Sequence, residues 1–526
     1  MEISIGLIAG LYFVIFGIIF TVASYLGMRR SKVFDEYSVA GRTIGGFVNG
    51  LAGMESYLSA FLFMGMTAIV VSMGFPYMGT LIPFALSIAI FMALIGPYAR
   101  NTGARTLIEL IEARYGRAVA YLVLAINLLF VAMFMIGQMK AVGICVEYIF
   151  GIPLSLAIII GGLIVTAWCV IGGMYGITWS QFIQGLVVLS AISITAASVL
   201  RAIGVANWFN PYLGYGELSP IMESIGFFEL KASPKWYLSL VIVGLGGAAA
   251  SPQMFIISAR AKNASSVRWA LSWMVFFIGL VYACAMALAF AATYWIKTTG
   301  IVIKPEQADY ALFMVCDALT HPLIAAYVVY SSFVEAISTI TTLIIFCGTV
   351  GVTHVYIPLK KLVKKSVETS DRERKIALAI AMTITGIAFT FITLSPPTLL
   401  AIPILWGWEL LTCTLLIPCF FAFWWKRVTR WGVLASILTG AMVILTQGWT
   451  GPLIKLPFYG CLVFLPLATL VNVIVSYLTP PDSARTLVDR WHGFTDYSEK
   501  RYSGNLLPVS LGILSILMLI FALIGL

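Results

Sequence analysis

Residues 45–73 read GGFVNGLAGMESYLSAFLFMGMTAIVVSM. The run is apolar enough to cross a bilayer, which takes about 20 such residues, yet it carries Gly50, Gly53, Gly65 and an acidic side chain, Glu55. Glycine loosens a helix, and an ionisable group in hydrocarbon is costly enough to mark function. The segment therefore reads as a spanning helix with an interruption. A second interrupted run follows at 236–258, with Gly244, Gly246, Gly247 and Pro252 beside or within it. Broken helices at corresponding places in two halves of a chain point to a binding site near the bilayer midplane. Their freed carbonyls and exposed helix ends can ligate a cation or an anionic solute.

The rest of the 526-residue chain has the same character: 61% of residues are hydrophobic, 10% are charged, and the mean hydropathy is +0.99. Soluble proteins are nearer a quarter charged, so a soluble enzyme is excluded. Apolar runs divide the chain into fourteen expected spans, approximately 5–27, 45–73, 76–98, 118–148, 152–173, 178–202, 236–258, 268–296, 323–356, 376–395, 397–424, 431–449, 456–478 and 506–525. The first lacks a basic leader and a small-residue cleavage pattern, and reads as an anchored helix rather than a signal peptide. The net charge of +10 is a matter of position and not a sign of nucleic acid. With both termini outside, inner loops hold most of the 32 Lys and Arg residues, including Lys360, Lys361, Lys364 and Lys365, as the positive-inside bias requires. The outer segments 203–235 and 298–322 carry acids such as Glu217, Glu223, Glu306 and Asp309 and read mainly as solvated connectors. The eight cysteines form no CxxC pair and read as small buried hydrophobes. A P-loop, HExxH and GxSxG are all missing from the sequence, so an ATPase motor or an enzyme has little to work with.

Four strings carry a family resemblance. They are Gly172-Gly173-Met174-Tyr175-Gly176-Ile177-Thr178-Trp179-Ser180 with Gln181 and Gln184; Ser251-Pro252-Gln253 with Arg260 and Lys262; Trp425-Lys426-Arg427-Val428-Thr429-Arg430-Trp431-Gly432; and Ala40-Gly41-Arg42 ahead of Asn49-Gly50-Leu51-Ala52 and Tyr57-Leu58-Ser59-Ala60. In their order along the chain, over residues roughly 35–450, they resemble the sodium/solute symporter family. Gln181 departs from its pattern, which often has an acid there. The resemblance implies an all-α, polytopic membrane protein with an inverted five-helix repeat, leucine-transporter-like core. The first repeat would occupy 45–202 and the second 236–430, joined by the outer loop 203–235. Residues 1–44 would hold the first helix and an inner loop, and 431–526 the peripheral spans 12–14 with the inner loop 479–505.

Within the ninth span, Glu335-Ala336-Ile337-Ser338-Thr339 resembles the family's hydroxyl pair. By resemblance, the main-chain oxygens of Glu55, Leu58 and Glu335 and the hydroxyls of Ser338 and Thr339 hold sodium, a hard ion that takes oxygen ligands. Taken alone, the two hydroxyls read better as bonding back to their own helix. Glu55 and Glu335 stand where the family more usually has small or apolar residues, which leaves a proton open as the coupling ion. Lys140 and Glu409 are two further ionisable residues inside spans, and Lys140 could pair with either glutamate.

Asn49-Gly50-Leu51-Ala52, Tyr57-Leu58-Ser59-Ala60 and Ile136-Gly137-Gln138-Met139 look like the acetate permease branch. A monocarboxylate such as acetate, pyruvate or lactate is therefore the first expected solute, and proline or another amino acid the second. Ser59, Phe61, Gln138, Lys140, Gly246 and Trp408 are the expected solute contacts, with Trp406 beside them. The expectation is a secondary active symporter in the plasma membrane, working as a monomer. A membrane sensor or a passive facilitator is the competing class.

Overall fold

The computed structural model describes residues 5–74, 77, 81–207, 211–226, 233–363, 369–447, 451–482, 487, 491 and 506–523. Lys364 and Lys365, and most of the expected inner loop 479–505, lie outside the described residues. The described chain is almost wholly helical. Its main helices are α1 (Ile5–Arg30), α2 (Gly46–Tyr57), α3 (Met66–Met73), α4 (Leu81–Leu94), α5 (Arg117–Phe150), α6 (Leu154–Ala202), α7 (Pro234–Gly247), α8 (Pro252–Arg260) and α9 (Ala264–Thr299). Then come α10 (Pro322–Val350), α11 (Asp371–Ile392), α12 (Ala401–Thr414), α13 (Leu416–Trp424), α14 (Arg430–Ala441), α15 (Cys461–Leu478) and α16 (Leu506–Leu523). Among the described residues the only β-type pairing is an isolated bridge between Ile44 and Ala261.

Nine described helices are long and apolar enough to cross a bilayer, or eleven when each bent pair counts as one span. This differs from the fourteen expected, for two physical reasons. The 49 residues of α6 would stretch about 74 Å at 1.5 Å per residue, more than twice the hydrocarbon thickness, so they serve two of the expected spans. The segment Arg430–Thr446 is an apolar helix of fewer than 18 residues, and α16, with 18 described residues, stands at the limit.

The break in α6 is at Gly173, with φ 54° and ψ −171°, a backbone region that only glycine enters freely. A Cβ there would lie 2.5 Å from the Tyr37 ring, whose hydroxyl donates to the Val170 carbonyl. We expect Gly173→Ala to cost about 1–3 kcal/mol from backbone strain alone, before the Tyr37 clash is added. Thermal unfolding of the purified protein checks this, and an unchanged midpoint would show that the turn relaxes freely.

The core is laid around α10, every residue of which from Val328 to Val350 is buried. It packs against α1, α5, α6 and α2, while α2 also lies along α9 and α6. Gly50 permits that approach, since a Cβ would meet the Ala270 carbonyl oxygen at 2.7 Å. All eight cysteines are free and buried.

Candidate functional site

The interruption in the first broken helix sits at Leu58, not at a glycine. α2 ends at Tyr57, Leu58 is extended (φ −62°, ψ 169°), and the chain re-enters through a π-turn at Phe61–Gly65 before α3. The two halves are bent by 54°. Gly50, Gly53 and Gly65 thus serve packing and not the break itself. The extended Leu58 carries the residue-59 amide away from the Glu55 carbonyl, and the Leu62 amide bonds to Ser59 instead. Two carbonyls, Glu55 and Leu58, are left pointing away from any helical ladder, as at any helix end.

The hydroxyl pair of α10 answers them. Ser338 Oγ donates to the Glu55 carbonyl oxygen and lies 3.1 Å from that of Glu335. Thr339 Oγ1 is 2.6 Å from the Leu58 carbonyl oxygen and 3.5 Å from that of Glu335. Bonding back to the helix and reaching across to α2 therefore coexist. Five oxygens converge, all on fully or almost fully buried residues, and oxygen donors alone are what a hard monovalent cation takes.

A polar network that sequence reasoning did not assign holds this arrangement. Gln181 of α6 donates through Nε2 to the Ser338 carbonyl (2.9 Å) and the Thr342 hydroxyl (2.7 Å). Its Oε1 accepts from Ser56 and from Arg260, each at 3.1 Å. Arg260 also donates to Asn49 Oδ1 (2.6 Å) and to Thr178 Oγ1 (3.2 Å), and Asn49 donates to the Ile257 carbonyl. Four helices are thus bonded behind the five oxygens. The available signal was a set of polar side chains inside apolar runs, where each must find a partner.

The second interrupted helix breaks at Ala248–Ser251, between α7 and α8. Ser251 is extended and caps α8 through its hydroxyl, with Pro252 in the first turn. This too lies beyond Gly246 and Gly247, which are packing glycines.

Beside the Leu58 break is a small cavity lined by Tyr57, Leu58, Ser59, Phe61, Leu62, Leu81, Phe84, Tyr282 and Trp408. Ser59, Phe61 and Trp408 of the expected solute contacts are in its wall. Trp408 stands among Tyr57, Phe84, Phe130 and Phe134, with ring centroids 5.3–5.9 Å away. Gln138 is at the break, where its Oε1 accepts from the Ala60 amide (3.1 Å) and its Nε2 has no partner.

Two expected solute contacts are placed elsewhere. Lys140 is in a buried ion pair with Asp309 (2.6 Å) and also donates to the Thr398 carbonyl (2.7 Å). It is neither free for solute nor paired with Glu55 or Glu335, and Asp309 is a buried group rather than part of a solvated connector. Gly246 faces Thr412, where a Cβ would stand 2.4 Å from Cγ2, and it does not line the cavity. Glu409 accepts from Gln447 Nε2 (2.7 Å) and the Cys461 amide (3.0 Å). With Trp406, it lines a separate cavity.

A helical bundle with a broken span against a hydroxyl-bearing helix and an adjoining small cavity is an arrangement suited to a membrane transporter. Known proteins agree: residues 37–440 match the sequence profile of the sodium:solute symporter family, and the chain belongs to that family. A curated relative, the uncharacterized symporter YwcA of Bacillus subtilis (strain 168), is 22% identical over 425 residues, which is 80% of this chain and 81% of the relative. A substrate-bound, outward-open Na+-coupled sialic acid symporter superposes with a TM-score of 0.73 at 15% identity, covering 91% of this chain and 99% of the other. The fold is therefore the all-α, inverted-repeat architecture of these transporters, and the protein is a multi-pass integral protein of the cell membrane.

Proposed function

We propose that the protein is a sodium-coupled symporter of a small organic solute. Sodium is held by the main-chain oxygens of Glu55, Leu58 and Glu335 and by Ser338 and Thr339. The observation that carries this reading is the meeting of the two α10 hydroxyls with the two carbonyls released at Leu58. A sodium ion placed there joins α2 to α10 and so links ion occupancy to the shape of the cavity next to Leu58. The repeats are taken as 45–202 and 236–430, which puts one broken helix in each.

For the solute we favour a small monocarboxylate such as acetate, pyruvate or lactate. With Lys140 engaged by Asp309, its charge is met by sodium and by neutral donors, of which the unpartnered Gln138 Nε2 and the Ser59 hydroxyl are nearest the break. A second reading is proline or another amino acid: none of the described lining residues is basic. It is supported also by the aromatic rings there, whose faces attract an ammonium group.

Uptake into proteoliposomes under separately imposed sodium and pH gradients tests the proposal, with acetate, pyruvate, lactate, proline and glucose as solutes. A tenfold inward sodium gradient stores about 1.4 kcal/mol per ion. We expect roughly tenfold accumulation of one of the first four for each sodium ion carried, lost when the sodium gradient is collapsed. If none of the solutes rises above equilibrium, the reading is wrong.

A further inference from the structure

The second cavity lies between α7, α12, the turn at Met442–Thr446 and the start of α15, and the proposed sodium and solute sites make no use of it. Trp236, Trp406, Glu409, Thr446, Phe458 and Tyr459 line it. Glu409 is only 1% exposed, and an ionisable group buried in an apolar bundle is costly enough to mark function. The donors that reach it are neutral: Gln447 Nε2 at 2.7 Å, the Cys461 amide at 3.0 Å and the neighbouring Gly460 amide. Each carboxylate oxygen can accept more than one bond, so capacity remains. Lys235 stands 5.9 Å from the Phe458 ring centroid but does not line the cavity, and its ammonium donates to the Ala522 carbonyl of α16 (3.0 Å). Gln447 Nε2 also donates to the Trp406 carbonyl (3.3 Å). Both of its partners accept only, so the carboxamide can stand only this way round. Its Oε1 is then an acceptor without a donor, on a residue 8% exposed. Thr446 gives its hydroxyl hydrogen to the Val443 carbonyl (2.7 Å) and keeps its lone pairs to accept.

We propose that this cavity binds a primary ammonium group, with its charge on Glu409, its N–H bonds on Gln447 Oε1 and Thr446 Oγ1, and its carbon chain against the rings. A primary ammonium has three donors and no acceptor, which is the complement of a carboxylate, a carboxamide oxygen and a hydroxyl oxygen gathered in one place. Trp236, Trp406, Phe458 and Tyr459 add aromatic faces, which attract a cation. A bare alkali ion would leave those faces without an organic partner, and a quaternary ammonium would leave Gln447 Oε1 without a donor. Two sources carry such a group: a free amine in solution, and the ethanolamine headgroup of a phospholipid. The proposal stands apart from the Leu58 break and does not depend on which solute is carried there.

Equilibrium binding of radioactive ethanolamine to the purified full chain in phosphatidylcholine nanodiscs tests this. The expected result is saturable binding that weakens roughly tenfold or more in Glu409→Gln, the loss of a charge-assisted contact. Trp406→Leu removes one half-buried ring, keeps the carboxylate, and should weaken binding about threefold. Glu409→Asp keeps the charge and should recover part of the affinity, which separates loss of the site from loss of the fold. Choline, the same molecule without N–H donors, and ethylene glycol, its uncharged analogue, should each compete far less well than unlabelled ethanolamine. Repeating the titration in nanodiscs containing phosphatidylethanolamine distinguishes the sources: weaker ethanolamine binding there assigns the group to the lipid, and unchanged binding assigns it to a free amine. An absence of saturable binding to the wild type overturns the proposal. So does equal binding in Glu409→Gln, or competition by choline or ethylene glycol as strong as that of ethanolamine.

Discussion

Thr339→Val raises the sodium concentration for half-maximal uptake by roughly 10- to 100-fold, while solute affinity at saturating sodium stays near that of the wild type. The substitution keeps the branched shape and removes one oxygen of five. A polar contact to a charged group contributes about 1.5–3 kcal/mol, and each 1.4 kcal/mol is a factor of ten in affinity. The hydroxyl is placed for that role, 2.6 Å from the Leu58 carbonyl oxygen at the end of α2. Thr339→Ser restores the oxygen and should restore most of the sodium affinity. A hydroxyl that served only to pin α10 to α2 would affect sodium and solute together, because the cavity wall begins at Tyr57 and Leu58. Titrating uptake against sodium at several solute concentrations distinguishes the two, and equal shifts on both axes would remove Thr339 from ion binding.

What the sequence made legible follows the range of the interactions involved. Membrane class, helical architecture and the Ser338-Thr339 pair are local in the chain and were readable from composition and short strings. The position of the break was not. Glycines drew attention to Gly50, Gly53 and Gly65, but Gly50 is there because the backbone of α9 passes within 2.7 Å of where its Cβ would be. The chain instead unwinds at Leu58, where the side chains of α10 offer the carbonyls new partners. Intramembrane ionisable residues were visible as such, but their partners were not. Asp309 is 169 positions from Lys140 and sits in a segment that reads as a surface connector, so nothing local identifies the pair. Gln181, Arg260 and Asn49 likewise belong to different strings of the resemblance and become one network only when α2, α6 and α8 are brought together.

The Lys140–Asp309 pair carries the largest stability effect we expect. Lys140 lies in the second half of α5, and its ammonium is 2.6 Å from Asp309 Oδ2, with side-chain exposures of 6% and 0%. The same carboxylate oxygen accepts from the Leu400 amide (3.1 Å), and the ammonium also donates to the Thr398 carbonyl. One ion pair thus fixes the segment around Pro305–Tyr310 and the start of α12 to α5. Lys140→Met removes the positive partner, leaves Asp309 as an uncompensated buried charge, and should cost about 3–5 kcal/mol, the range for breaking such a pair from one side. Replacing both partners is different, because two neutral groups of similar volume carry little of that penalty. The double variant Lys140→Met with Asp309→Asn is therefore expected to recover most of the loss, a strong non-additivity that a double-mutant cycle measures. Thermal or denaturant unfolding of the four proteins should order them wild type, double variant, then the single variants. If Lys140 were instead a solute contact, Lys140→Met would weaken uptake with little change in stability, and neutralising Asp309 would rescue nothing. Rescue by the second substitution is the result that assigns the lysine to the framework and leaves the solute's charge to sodium and neutral donors at the Leu58 break.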